Sequence, residues 1–156
     1  MKKLELTAQS SQPNFIGSWL LDSVSVCDEL INYFESNEPK QRRGATGGGR
    51  NFDVKNSVDM TIAPNELELP GNEIFKTYFK ALFRCYQDYT IQWPFLKSIA
   101  KSLEIAPFNI QRYQTGQHFQ KVHTERNGIG TVHRVFAWMT YLNDVDSEDG
   151  GSTTFT

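Results

Sequence analysis

His123 and Glu125 stand two residues apart in the run RYQTGQHFQKVHTERN, residues 112–127. On a strand, residues i and i+2 share a face because side chains alternate with period two, so an imidazole and a carboxylate would point at one spot. Both are metal-ligand types, and a mononuclear iron site of two histidines and one carboxylate keeps open positions for oxygen chemistry. Such a site needs a third ligand. His118 and His133 are the only other histidines, and none follows His133. On a common strand His118 faces away from His123, since their spacing is odd. His133 lies beyond the NGIG turn at 127–130, where parity no longer carries over. A site built on all three histidines is therefore not expected. Alone, a His-x-Glu pair is a weak signal, because solvated strand faces carry such pairs by chance.

The elements that must position this pair follow from the hydrophobic pattern. Residues 15–21 read as a short strand. Ser25 with Asp28 resembles a capping box opening a helix that runs to Ser36, with Cys27, Leu30, Ile31 and Phe34 as its buried stripe. The polar, glycine-rich run NEPKQRRGATGGGRN at 37–51 reads as a flexible loop that could serve as a lid. Its three glycines, Gly47 to Gly49, are followed by Arg50 and lack the Lys-Ser/Thr pair of a phosphate loop. In 57–62, Val58, Met60 and Ile62 alternate with Asp59 and Thr61, as in a strand with one wet face. From 72 to 90, Ile74, Phe75, Tyr78, Phe79, Leu82, Phe83, Cys85, Tyr86 and Tyr89 recur at helical spacing. That is the longest helix, with a wide aromatic face expected to lie against a sheet. Residues 94–103 read as one more short helix.

Strand-like patterns then fill 105–113, 119–125, 131–142 and 152–155. Helices first and strands afterwards indicate an α+β arrangement, with helices covering one face of a largely antiparallel sheet. Trp93 and Trp138 read as core aromatics. No internal repeat and no second domain is evident: 1–104 forms a helical support region and 105–156 the start of the sheet core.

Composition narrows the function classes. A chain of 156 residues suits one domain, and such a domain buries about 68–70% of its unfolded surface. With 16 basic and 18 acidic residues the net charge is −2, which favours no nucleic-acid partner. The loop cations Lys40, Arg42, Arg43 and Arg50 read as a solvated basic segment, with an acidic or extended peptide as the alternative partner. Cys27 and Cys85, each in a helical pattern, read as separate buried thiols and point to a reducing, cytoplasmic compartment. The start MKKLELTAQSSQPNF has no apolar core of a signal peptide, and no run reaches the ~18 apolar residues of a membrane span.

Around the His-x-Glu pair, a longer pattern is present. Arg112-Tyr113, Gly116-Gln117, Phe119, His123, Glu125, Arg134, Tyr141-Leu142-Asn143-Asp144-Val145, Gly150-Gly151, Thr153 and Phe155 follow in order. This resembles the prolyl 4-hydroxylase-like family of iron(II), 2-oxoglutarate-dependent dioxygenases. That family's core is similar to RY..GQ.F..H.D, then R, then YLND, then GG.T.F. The specific resemblance spans 112–155, and the preceding elements agree in general layout.

The resemblance implies helices on a double-stranded β-helix, or jelly roll. It implies His123 as an iron ligand and Glu125 as the carboxylate ligand, in place of the family's usual Asp. The longer Glu side chain brings one more rotatable bond to the site. Tyr113 matches the tyrosine whose hydroxyl contacts 2-oxoglutarate, and Thr153 a threonine near that molecule's distal carboxylate. Arg134 matches a family arginine, and a salt bridge on the strand is its structural reading. The implied cofactor is iron(II), with 2-oxoglutarate and dioxygen as cosubstrates and ascorbate as an accessory reductant. The implied reaction hydroxylates a C–H bond, foremost of peptidyl proline, with free amino acids or small molecules as other substrate classes.

In the family the distal histidine and a basic 2-oxoglutarate anchor lie downstream of the GG.T.F strand, so a truncated domain is expected here. Two further readings stand beside the enzyme. One is an inactive peptide-binding module of the same fold, with the helix at 74–89 and the loop at 47–49 as contacts. The other is a homodimer formed through open sheet edges.

Overall fold

The computed structural model describes residues 1–5, 15–99 and 102–155. They form a mixed arrangement of helices and small antiparallel sheets, divided into two compact units. The first comprises Met1–Leu30 and Asn65–Ile105, the second Ile31–Pro64 and Ala106–Thr156.

In the first unit, β1 (Lys2–Leu4) pairs antiparallel with β2 (Ser18–Leu20), Lys3 opposite Trp19. Helix α1 (Ser25–Ser36) begins here and runs into the second unit. Its start was legible, but the Val24 carbonyl takes the first helical amides, from Cys27 and Asp28, so Val24 holds the capping position expected of Ser25. Val26, Leu30 and Phe34 form its buried stripe, while Cys27 and Ile31 are half-buried.

Helix α2 (Glu73–Gln92) buries Phe75, Tyr78, Ala81 and Cys85, a narrower stripe than its aromatic content suggests, since Phe83 stays 55% exposed. Two side-chain bonds fasten the hairpin to α2: Trp19 Nε1 to Asp88 at 2.8 Å and Lys3 Nζ to Gln92 at 2.7 Å. Helix α3 (Leu96–Ile99) is shorter than the 94–103 expected, and residues 100 and 101 of that span lie outside the described residues. Among the described residues no helix is long and apolar enough to cross a membrane. Cys27 and Cys85 are separate thiols, and burial pushes the ionisation of both upward.

The second unit holds the sheets. Strand β5 (Val58–Ile62) lies between β3 (Arg42–Arg43) and β6 (Phe108–Arg112), both antiparallel to it. A second ladder pairs β4 (Lys55–Asn56) with β7 (His118–Phe119), Lys55 opposite Phe119. Met60 and Ile62 are fully buried and Ile110 nearly so, each contributing about 1.5–3 kcal/mol by leaving water. Arg112 fixes β6 to the end of α1: its guanidinium bonds both Glu35 oxygens at 2.7 Å and lies over the Phe34 ring.

Several expectations are corrected here. The 37–51 run is not a free loop, because Arg42 and Arg43 pair with β5 and a Thr46–Gly49 turn closes on two backbone bonds. The wet face of β5 holds at Thr61, which is exposed, but Asp59 is largely covered, and just before the strand Ser57 is fully buried and Lys55 only 4% exposed. The strand expected over 119–125 ends at Phe119, since β4 offers it a two-residue edge. Of the span 131–142, Thr131 closes a 3-10 turn (Ile129–Thr131) and the rest, like 152–155, forms no strand, because no neighbouring backbone supplies a ladder among the described residues. Trp138 is 38% exposed beside Phe108, and is not a core aromatic.

Candidate metal centre

His123 and Glu125 do face one another, although the chain that carries them is not a strand. Downstream of β7 the backbone bends, and three local contacts take over the alignment that a ladder would have given. The Phe119 ring stacks on the imidazole, centroids 4.6 Å apart and planes 27° from parallel. His123 Nδ1 lies 2.8 Å from the Lys121 carbonyl. A carbonyl only accepts, so Nδ1 carries the proton and the Nε2 lone pair is left outward in the neutral ring. Arg134 donates to Glu125 Oε2 at 2.9 Å, and this leaves Oε1 turned toward His123 Nε2 at 3.7 Å.

The outcome is a pair of lone-pair donors on one spot. Each has its second polar atom engaged by a neighbour, the arrangement that orients metal ligands in general. His123, Glu125 and Arg134 are all roughly half exposed, so the Arg134 pair contributes at most about 1 kcal/mol to stability and acts chiefly on orientation. Among the described residues no group of three His, Cys, Asp or Glu side chains gathers in a metal-holding cluster. An open groove lined by Thr124, Arg126, Gly128, Ile129 and Val132 adjoins Glu125 in sequence.

Tyr113 follows the end of β6, where its hydroxyl donates to Gln111 Oε1 at 3.3 Å. Burial first, and the Asp59 carboxylate second, push its ionisation up, while a hydrogen bond with Ser57 works the other way. The phenol therefore stays a proton donor across the neutral range. Thr153 Oγ1 shares a 2.6 Å hydrogen bond with the Tyr141 hydroxyl and lies 3.5 Å from Met139 Sδ. His118 Nε2 reaches the Asp53 carbonyl at 3.3 Å.

Sequence reasoning overlooked Lys55, Ser57 and Asp59. Their signal was present, since Lys-x-Ser-x-Asp occupies alternate positions opposite Val58, Met60 and Ile62. Only Asp59, with Thr61, enters the expected wet face, because period-two polarity alone does not reveal what covers a strand. No protein-family model, no curated protein and no solved structure matches this chain.

Proposed function

We propose that this chain carries part of an iron(II), 2-oxoglutarate-dependent dioxygenase centre of the prolyl 4-hydroxylase-like kind, with the β3-β5-β6 and β4-β7 ladders as strands of a jelly roll. One observation carries the reading. His123 Nε2 and Glu125 Oε1 lie 3.7 Å apart, and the second polar atom of each is held by Lys121 or Arg134. The donor set suits iron(II), for which imidazole and carboxylate are customary ligands. Glu125 has the extra bond that a family Asp lacks, and Arg134 removes the resulting looseness by fixing Oε2.

When bound, iron(II) with 2-oxoglutarate and dioxygen supplies an oxidative decarboxylation that yields succinate and carbon dioxide and places a hydroxyl on a substrate C–H carbon. The chain's own groups do the positioning. His123 and Glu125 hold two coordination positions. Tyr113, kept un-ionised, donates its hydroxyl proton in a hydrogen bond to a carboxylate of the keto acid. Thr153 turns its hydroxyl from Tyr141 toward the distal carboxylate. The groove at Thr124, Arg126 and Ile129 offers the adjoining surface to a substrate, for which an extended prolyl peptide is our first choice.

Anaerobic titration of the chain with iron(II) and 2-oxoglutarate should produce the visible charge-transfer band of an iron-bound keto acid. His123→Ala and Glu125→Ala should abolish it, and Arg134→Ala should weaken metal binding by about 10–100-fold as the loss of an outer partner does. A band of the same strength in all four proteins would sink the assignment. Peptide binding without succinate formation would favour the inactive module.

A further inference from the structure

Where the chain enters β5, the side that carries Asp59 is polar and largely buried, although it opens to solvent at Thr61. Lys55, Ser57 and Asp59 alternate along the chain and so share a side opposite the apolar Val58, Met60 and Ile62. Lys55 is 4% exposed, Ser57 is fully buried, and the Asp59 side chain is 12% exposed. A buried ammonium is costly unless it is paired and hydrogen-bonded. Here Lys55 Nζ lies 2.6 Å from Asp59 Oδ2. Ser57 donates to Asp59 Oδ1 at 2.7 Å and Gln111 donates to Oδ2 at 3.4 Å. Three donors thus converge on one carboxylate, two of them from largely buried side chains, and a satisfied network of this kind is stiff.

This cluster reaches the candidate centre at two points. Lys55 sits opposite Phe119 in the β4-β7 ladder and holds its ammonium 5.5 Å from the centre of that ring. A cation at that distance is attracted to the aromatic face. The same ring stacks on His123. At the other end Asp59 pairs across the ladder with Gln111, and Tyr113 stands two residues further along the same side, hydrogen-bonded to Gln111. A purely apolar floor would fill this space with no unpaired ion at risk, yet it would fix neither the Phe119 ring nor the phenol.

We propose that Lys55, Ser57 and Asp59 are positioning residues of the candidate centre, holding the His123 ring through Phe119 and the Tyr113 hydroxyl through Gln111. The functional meaning of this role rests on reading His123 as a metal ligand, whereas the positioning itself does not.

Proton NMR of the full metal-free chain tests it. The His123 ring protons, assigned by their disappearance in His123→Gln, should be shifted upfield by the Phe119 ring current. Phe119→Leu should return them to the position of a free imidazole. The double variant Lys55→Met with Asp59→Leu removes both charges together and so leaves no ion uncompensated. It should retain a dispersed amide spectrum while losing most of the His123 shift. Ser57→Ala should lose part of that shift, and the exposed Thr61→Ala none.

A wild-type His123 shift in the folded double variant would overturn the proposal. Should the double variant not fold, an unchanged shift in Ser57→Ala would overturn it equally. No metal is present in these spectra, so a failure of iron binding in the wild type would refute the proposed function and leave this result standing.

Discussion

At Tyr113 burial and the Asp59 carboxylate act in one direction, against the phenolate, and only the Ser57 hydrogen bond opposes them. The sign of the resulting pH dependence follows. A phenol whose ionisation lies higher in the folded chain than in the unfolded one contributes stability that is fully present below the ordinary tyrosine value of about 10. That contribution disappears as pH rises through the folded value. The urea midpoint of the wild type should therefore fall more steeply on the alkaline side than that of Tyr113→Phe. Comparing the two proteins cancels the background from Tyr89, Cys27 and Cys85, whose ionisation burial also raises. Parallel alkaline limbs would show that Tyr113 is not protected as described. The proximity of His123 and Glu125 was legible from their spacing, but for a reason that does not apply. Period two placed the two side chains together on a strand, whereas the chain achieves it with the Phe119 stack, the Lys121 carbonyl and the Arg134 guanidinium.

Elements whose stability is local were the easier ones to read. Helix α1 ends at the expected Ser36 and starts one residue earlier than a Ser25 cap would give, and α2 departs from the expected 72–90 by one residue at its start and two at its end. Helical hydrogen bonds join residues four apart, so the sequence window that predicts them also contains them. A strand depends on a partner that may be sixty residues away, and β4 meets β7 across such a gap. Alternation over 131–142 therefore stated a preference without supplying a ladder. In the β1-β2 hairpin the local control is a single glycine. A Cβ on Gly17 would lie 2.1 Å and 2.5 Å from the Trp19 ring and 3.0 Å from Tyr89. Gly17→Ala should displace the indole and break its bond to Asp88, a loss of about 1–3 kcal/mol on overpacking grounds. Tryptophan emission and the urea midpoint would report it, and an unchanged midpoint would mean that the hairpin is not held by this contact.

For the whole molecule, the division into two units determines where a ligand should be felt. His123, Glu125, Tyr113 and Thr153 all belong to the unit comprising Ile31–Pro64 and Ala106–Thr156. A ligand that binds only the folded state adds about 2.7 kcal/mol at a hundred times its dissociation constant. Iron(II) with 2-oxoglutarate, added without air, should raise amide protection in 31–64 and 106–155 by more than in 65–99. His123→Ala should erase the difference. Uniform protection along the chain would place the binding elsewhere. The α+β character expected from the order of elements corresponds to the observed mixture of helices and antiparallel ladders, and it came from counting periodicities along the chain. The burial of Lys55 and Ser57 did not, because burial belongs to the assembled unit and the alternation is the same for a wet face and a covered one.

The close approach of Gly44 to Ser57 couples two positions that sequence alone would treat as independent. A Cβ on Gly44 would come within 2.1 Å of Ser57 Oγ, and the Gly44 amide donates to the Ser57 carbonyl at 2.9 Å. The two residues draw on one small volume. Freedom to vary at the turn is thus inherited from position 57: a side chain at position 44 requires the Ser57 hydroxyl to move or be given up, and with it the one hydroxyl that bonds Asp59.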